Sequence, residues 1–572
     1  LASLLFDSSH STDFEVHRNW LAITYSTSPS QWYEEATSQW TLDYPPLFAA
    51  GEWFLAQFAS YINPEMLVLS KDPYVSSAVI IFQRCSVLIT EFVLIFAVHS
   101  FSAGPCIGSG GFILFLEGEN IVCPVFLSVF PMFLNHITCT DMHFQYNGFL
   151  FGVLFLSVAK VFQSNYLFAG FLFACLLNLK HIFLCLAPVY FVFILLHYCF
   201  QTGILVSFNY LIFQVNDKCH FRFDRFLLMG LTVCSVFSIS IGPWVYMVCT
   251  SFYFTFFHFT LLKGKFQSLL SRLFPFHRGL CHAYWAPNFW ALYNTLDKLL
   301  DLSGKFPEYC MGKAVLSTTT AVEGNFVNMT SGLTGDYVHA CLPTIRPLHT
   351  AIITLIFVLP SLLICKRCSN PSDADNPQVL GCILLRAVAA AAWAAFLFSW
   401  HVHEKAILMV TLPLLLLAVV SRKLRGLAFY VTTLAHFSLL PLIFTSAEQP
   451  AVLSTYLAFT VAQYSLLGRM SPLVYTGLLG RCWPVLSSLA CVHLLGLLPF
   501  LVFVRVFLPL RYPAYQFLPL MLTSVYTAIG LFGAFLVYIY VNMQWTFART
   551  EVQANDDQEF AEFVSLQEKK RN

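Results

Sequence analysis

Two stretches of this chain bring together side chains that could do chemistry. The first reads His10-Ser11-Thr12-Asp13-Phe14-Glu15-Val16-His17-Arg18-Asn19-Trp20, then Gln31-Trp32-Tyr33, then Trp40-Thr41-Leu42-Asp43-Tyr44-Pro45-Pro46. Carboxylates here stand among Trp and Tyr. Aromatic rings offer flat apolar faces with a polar handle, which suits sugar rings, and a carboxylate can take a hydroxyl proton. The same composition also fits an interfacial aromatic belt with solvated acids. Glu15 and Arg18 have the spacing of a local pair, and Asp43 sits in a turn-forming Asp-Tyr-Pro-Pro, where it either braces the loop or meets a substrate.

The second stretch is His401-Val402-His403-Glu404-Lys405. Lysine suits a phosphate as a point charge, and an imidazole can donate a hydrogen bond to it. A zinc-peptidase pattern fails, because His-Glu-x-x-His needs a second histidine where Ile407 stands. A His-x-His metal pair and a polar helix cap are the remaining alternatives. Ser109-Gly110-Gly111 is no phosphate-binding P-loop, since no Gly-Lys-Ser/Thr follows. Cys365-Lys366-Arg367-Cys368 has no second pair to complete a zinc pattern.

These residues are carried by a very apolar chain. Of its 572 residues, 58% are hydrophobic and 11% charged, with a mean hydropathy of +0.68; a soluble domain carries about 25% charged residues. A net charge of +1 argues against a nucleic-acid partner. About 20 apolar residues cross a bilayer as a helix, and Ile182–Phe200, Val485–Val504 and Phe517–Tyr540 all meet that length. The expected architecture is an all-α polytopic membrane protein with about thirteen spans visible. They fall near 75–100, 121–140, 147–162, 165–179, 182–213, 226–250, 348–365, 379–400, 406–420, 427–446, 451–467, 484–508 and 517–541. The chain divides into a first loop at 1–72, helices with short loops over 73–262, a long loop at 263–346, C-terminal helices over 347–543 and a charged tail at 544–572. Residue 1 is Leu and no leader precedes the polar segment, so one further span is expected to be missing from the N-terminus. Charged Glu91 and Arg84 inside an apolar segment keep a transporter open as an alternative.

Sidedness follows from the basic clusters. Short Lys/Arg-rich loops stay in the cytosol, which places Lys366-Arg367, Arg422-Lys423-Arg425 and Lys569-Lys570-Arg571 there. Counting crossings puts the first loop, Asp141–Asn147, the 263–346 loop and the His401–Lys405 junction together on the luminal side, with Lys218–Arg225 cytosolic. Asn328-Met329-Thr330, a glycosylation acceptor triplet, falls on the luminal side too.

The first-loop runs resemble the opening luminal loop of the dolichyl-phosphate-glucose-dependent glucosyltransferases of the endoplasmic reticulum, a GT-C family. Further matches follow in family order: His143-Phe144-Gln145-Tyr146-Asn147-Gly148, Lys180-His181, Phe274-Pro275-Phe276-His277-Arg278-Gly279, Asn288-Phe289-Trp290 and His401-Val402-His403-Glu404-Lys405. Tyr284-Trp285-Ala286-Pro287 and Trp400-His401 are worded like the member that adds the second glucose rather than the first. Thr140-Asp141-Met142-His143 departs from the family's Asp-His-x-His, which leaves the role of Asp141 open.

The resemblance implies a GT-C fold, dolichyl-phosphate-glucose as donor and a dolichyl-pyrophosphate-linked oligosaccharide as acceptor. It implies an inverting transfer at the luminal face of the endoplasmic-reticulum membrane, with no cofactor and no metal. It implies Asp13 as catalytic base, and Arg18, Trp20, Asp43, Tyr44, His143, Gln145, Arg278, His401, His403, Glu404 and Lys405 as substrate contacts. The terminal Lys569-Lys570 pair resembles a cytosolic dilysine retrieval signal.

Overall fold

The computed structural model describes residues 12–102, 146–201, 220–249, 267–274, 276–282, 285–303, 338–366, 376–442, 449–467, 477–515 and 517–547. His143, Gln145, Asp141, Asn328, the expected span at 121–140 and the charged tail beyond Phe547 lie outside the described residues.

The described residues are almost wholly helical. In chain order the α-helices are α1 Thr12–Ser26, α2 Pro46–Ile62, α3 Ser77–Ser102, α4 Asn147–Phe162, α5 Tyr166–Leu179, α6 Ala187–Ile194, α7 Phe223–Cys249, α8 Phe289–Ser303, α9 Pro347–Ile364, α10 Pro377–Phe398, α11 Leu408–Val420, α12 Arg422–Leu439, α13 Gln449–Leu467, α14 Gly477–Val502, α15 Leu508–Arg511 and α16 Leu518–Phe547. Among the described residues, seven helical stretches are long and apolar enough to cross a membrane: Ser77–Phe101, His181–Cys199, Phe223–Gly242, Pro347–Ile364, Pro377–Phe398, Pro484–Arg511 and Leu518–Thr546. Each coincides with a span expected from hydropathy. The segments expected near 147–162, 165–179 and 406–420 are helices of 16, 14 and 13 residues. The apolar run expected over 182–213 stops being helical at Cys199, where Phe200–Gln201 pairs antiparallel with His220–Phe221. Hydropathy alone could not show that stop, because the residues beyond it are equally apolar.

Helix α10 runs through the centre of the molecule. Asn376 caps its start by accepting from the Gln378 N–H, Pro377 opens the first turn, and an alanine-rich middle gives high helix propensity. Small residues let neighbouring helices approach closely where hydrophobic contrast with lipid is absent. A Cβ on Gly381 would stand 2.5 Å from the Phe162 ring of α4, and one on Gly152 would stand 2.6 Å from the Leu94 amide of α3. These glycines set the spacing of the central helices.

The bundle has two distinct ends. At one, His197 Nε2 lies 2.7 Å from the Cys365 carbonyl, and Arg225 donates to the Tyr198 carbonyl at 3.1 Å. At the other, two satellite cores hold the loops. Phe14, Leu21, Ala56, Ala59, Met66, Leu67, Val79 and Ile80 pin α1 and α2 onto α3. Leu280, Cys281, Trp285, Trp290 and Ala291 pack against Phe517 and Met521, at the start of α16. Asp297 of α8 is fully buried and accepts the backbone N–H groups of Ala340, Cys341 and Leu342 at 2.9, 2.8 and 2.7 Å. That carboxylate ties the return of the long loop to its own helix.

Candidate active site

The first turn of α1 carries Asp13 and Glu15. A helix N-terminus favours negative charge, and the helical phase sends the two acids in different directions. Glu15 is buried and takes the Arg18 guanidinium at 2.6–2.9 Å, while Arg18 also donates to the carbonyls of Met66 and Val68. Arg18 is 0% exposed. The expected local pair therefore forms, and Arg18, expected among the substrate contacts, is instead spent inside the loop core. Trp20 departs from expectation in the same way. It is buried, donates its indole N–H to the Thr41 carbonyl and packs on Tyr44 at 4.9 Å, so it braces the loop.

Asp13 points the other way, into a partly open pocket. Its Oδ2 lies 3.1 Å from Lys405 Nζ, with side-chain exposures of 27% and 7%. The acid at the start of the chain and the downstream His401–Lys405 run thus share one pocket. The strap Thr41–Tyr44 forms its second wall. Arg272 donates to Thr41 Oγ1 at 2.7 Å, Tyr33 Oη donates to the Tyr44 carbonyl at 2.6 Å, and Arg278 pairs with Asp43 at 3.3 Å. Burial pushes the Asp43 pKa up, and the nearby Arg278, Lys180 and His17 charges partly counter it. Lys180, just past the end of α5, donates to Asn147 Oδ1 at 3.0 Å and stands 4.8 Å over the Tyr44 ring. Burial lowers its pKa to about 8, with Lys405 adding to the fall and Asp13 and Asp43 opposing it.

The third wall comes from the long loop. His401 has φ 52° and Gly279 has φ 86°. A left-handed non-glycine backbone costs of order 1–3 kcal/mol and persists only where surroundings over-determine it. Here they do. The His401 N–H donates to the Leu280 carbonyl at 2.9 Å, its Nδ1 donates to the Gly279 carbonyl at 3.0 Å, and Cys281 bridges Val402 in parallel. Docking 279–282 against 401–402 turns the chain so that His403, Glu404 and Lys405 face inward.

The same docking delivers His282, whose ring lies 4.4 Å from that of His403 and whose Nδ1 is 3.4 Å from Glu404 Oε2. His403 Nδ1 accepts the Lys405 amide N–H at 3.1 Å. That bond fixes the neutral tautomer with its proton on Nε2, a donor for the pocket. Burial holds the His403 pKa well below the usual imidazole range, only partly offset by Glu404. Burial alone would raise the Glu404 pKa, but His403 and His282 draw it down to about 2. His282, His403 and Glu404 place ligand atoms within 4.8 Å of one another, a set able to accept a divalent cation.

Arg272, Lys180 and His282 were not expected in the site. Lys180 carried a usable signal, a charge beside an apolar run. His282 and Arg272 lie in no local motif and are recruited by tertiary docking alone. Arg278, Asp43, Tyr44, His401, His403, Glu404 and Lys405 are brought together around Asp13. Chemically, the pocket offers a carboxylate to take a proton, cations to meet an anion and an aromatic strap for a sugar.

Comparison with known proteins bears on what such a pocket acts upon. The pattern of the ALG6, ALG8 glycosyltransferase family matches residues 1–538. The chain is 39% identical over 566 residues to the Bos taurus dolichyl pyrophosphate Glc1Man9GlcNAc2 alpha-1,3-glucosyltransferase, covering 97% of this chain and 96% of that protein. The similarly named Mus musculus protein is 40% identical over 542 residues, covering 93% and 91%. The Dictyostelium discoideum protein of that name is 33% identical over 599 residues, covering 93% and 90%.

Proposed function

Because this chain belongs to the ALG6, ALG8 glycosyltransferase family, we propose that the Asp13–Lys405 pocket is the centre at which it transfers glucose. The chain is a hexosyltransferase that adds an alpha-1,3-linked glucose to Glc1Man9GlcNAc2 on dolichyl pyrophosphate. Membership in the family retires the transporter alternative. In the proposed reading the fold is GT-C with about thirteen spans, the donor is dolichyl-phosphate-glucose, and the pocket opens to the lumen of the endoplasmic reticulum. A disulfide at Cys341 supports that side, since disulfides persist in oxidising compartments.

The reaction is one in-line displacement. The acceptor 3-hydroxyl attacks C1 of the donor glucose as the bond from C1 to the phosphate oxygen breaks, its electron pair leaving on dolichyl phosphate. Asp13 takes the hydroxyl proton, which it must reach within about 3 Å. Lys405 and the Nε2–H of His403 face the phosphate, where charge develops. Asp43, Tyr44 and Arg278 form the wall against which the sugar is positioned; Trp20 holds that wall from behind, and Arg18 holds the loop core. Glu404 and His401 fix the imidazole and the backbone turn. His143 and Gln145 are proposed substrate contacts on family grounds, and Asn328 a glycosylation site in the luminal loop. Asp141 is assigned no role.

The single observation that carries this reading is the 3.1 Å contact between Asp13 Oδ2 and Lys405 Nζ, which sets a proton acceptor beside a phosphate-sized cation site. The test is transfer by the purified full chain in lipid, with dolichyl-phosphate-glucose and, separately, Man9GlcNAc2 and Glc1Man9GlcNAc2 acceptors. Elongation of the monoglucosylated acceptor alone is expected. Preference for the unglucosylated acceptor, or equal use of a nucleotide-glucose donor, overturns it.

A further inference from the structure

The charges of the pocket do not balance. Asp13 is paired with Lys405, and Asp43 with Arg278. Glu404 is flanked by His282 and His403. Two cations are left without an acid among the described residues: Arg272, which is spent on the Thr41 hydroxyl and the Tyr33 carbonyl, and Lys180. Among the described residues its ammonium has one hydrogen bond, to the neutral Asn147 amide, and one ring contact, to Tyr44. No carboxylate of the described residues lies within ion-pair distance of it.

A half-buried cation with a single neutral partner is costly unless something else completes it. Lys405 stands close enough to disfavour the charge on Lys180. Two ammonium groups held in one pocket, with only one of them paired, describe a site built around an anion that arrives with the substrate. The position of Lys180 is also fixed. The residue forms the C-cap of α5, its own N–H bonded to the Leu176 carbonyl at 2.9 Å, and Tyr44 closes one side of its side chain.

We infer that the Lys180 ammonium is the counter-ion of the donor phosphate and holds the leaving phosphate as its second negative charge appears. The inference rests on the glucosyl-transfer reading above and assigns it a residue that reading does not use. In the donor the phosphate is a diester with one charge. When the C1–O bond breaks, its electron pair leaves the phosphate a monoester with two charges, while the acceptor proton passes to Asp13. An unpaired cation is worth more to the second state than to the first, which is the condition for lowering a barrier. Lys405, shared with Asp13, supplies the other charge.

The experiment uses the full chain in lipid nanodiscs and measures binding of citronellyl phosphate, a short soluble prenyl phosphate, against citronellol, which lacks the phosphate. Lys180→Gln should weaken citronellyl phosphate about 10- to 100-fold, the weight of one charged hydrogen bond, and leave citronellol unchanged. Lys180→Arg should keep most of the affinity. Asn147→Asp retains the lysine but gives it a carboxylate partner, and it should weaken the phosphate in the same way. This second variant decides the matter if Lys180→Gln does not fold. Wild-type affinity for citronellyl phosphate in Lys180→Gln, or in Asn147→Asp, overturns the inference. Failure of the wild type to transfer glucose from dolichyl-phosphate-glucose sinks the underlying reading instead, so the two failures are separable.

Discussion

Two of the ion pairs that helix α1 takes part in are built on opposite plans. Glu15 and Arg18 lie on its inner side, with side-chain exposures of 8% and 0%, and the guanidinium is further held by two backbone carbonyls. Asp13 lies on its outer side and meets Lys405 from a region far away in sequence, with Asp13 27% exposed. The first pair is closed: its partners are local, its bonds are satisfied, and a substrate has no access to it. The second is open: one long side chain meets one carboxylate at the mouth of a pocket with a further cation nearby. The difference separates a charge pair that holds a loop from one positioned to exchange its partner for a ligand.

The largest expected effect tests the open pair. Asp13→Asn should cut kcat about 10²- to 10⁴-fold, the usual weight of a general base, with an unchanged melting temperature; retained turnover removes Asp13 from that role. The closed pair should respond in the opposite sense. Glu15→Ala strands a buried guanidinium and should cost about 3–5 kcal/mol of stability, read as loss of folded protein on thermal melting. An Asp13-like loss of kcat with normal melting would erase the distinction between the pairs.

Lys405→Gln should sit between them, raising the donor KM about tenfold or more for the loss of a charged contact. The pH dependence of donor binding sharpens the comparison further. Lys180, facing Asp13, Asp43, Lys405 and His403, is protonated below its lowered pKa of about 8 and neutral above it. Donor affinity should therefore fall as pH rises through that value, and Lys180→Arg, which stays charged, should abolish the fall. The smallest effect is expected at Arg278, whose pair with Asp43 is long and 42% exposed on the arginine side. Arg278→Ala should change donor or acceptor KM only a few fold, in keeping with a half-exposed pair; an effect as large as that of Lys405→Gln would place Arg278 on the substrate rather than on the loop.

Much of this was legible in the residues. Apolar runs near bilayer length gave the helices, because hydropathy is a local property and a membrane helix satisfies its own backbone. Basic clusters and crossing counts put the first loop and His401–Lys405 on one side, and Asp13 and Lys405 are in contact as that required. The family wording drew attention to Asp13, Asp43, Arg278 and the 401–405 run. It also swept in Arg18 and Trp20, because a run of characteristic residues does not say which of them face inward. Helical phase decides that, and it separates Asp13 from Glu15 and Arg18 within two turns.

What the sequence determined by itself was the class of molecule, the family and one end of the chemistry, since these rest on composition, on periodicity and on short runs of neighbouring residues. Tertiary structure alone decided that His282 joins His403 and Glu404, that a left-handed His401 and Gly279 allow it, and that the Lys180 ammonium meets no acid among the described residues. Charge balance in a pocket is a sum over residues scattered along the chain, and only folding brings its members together.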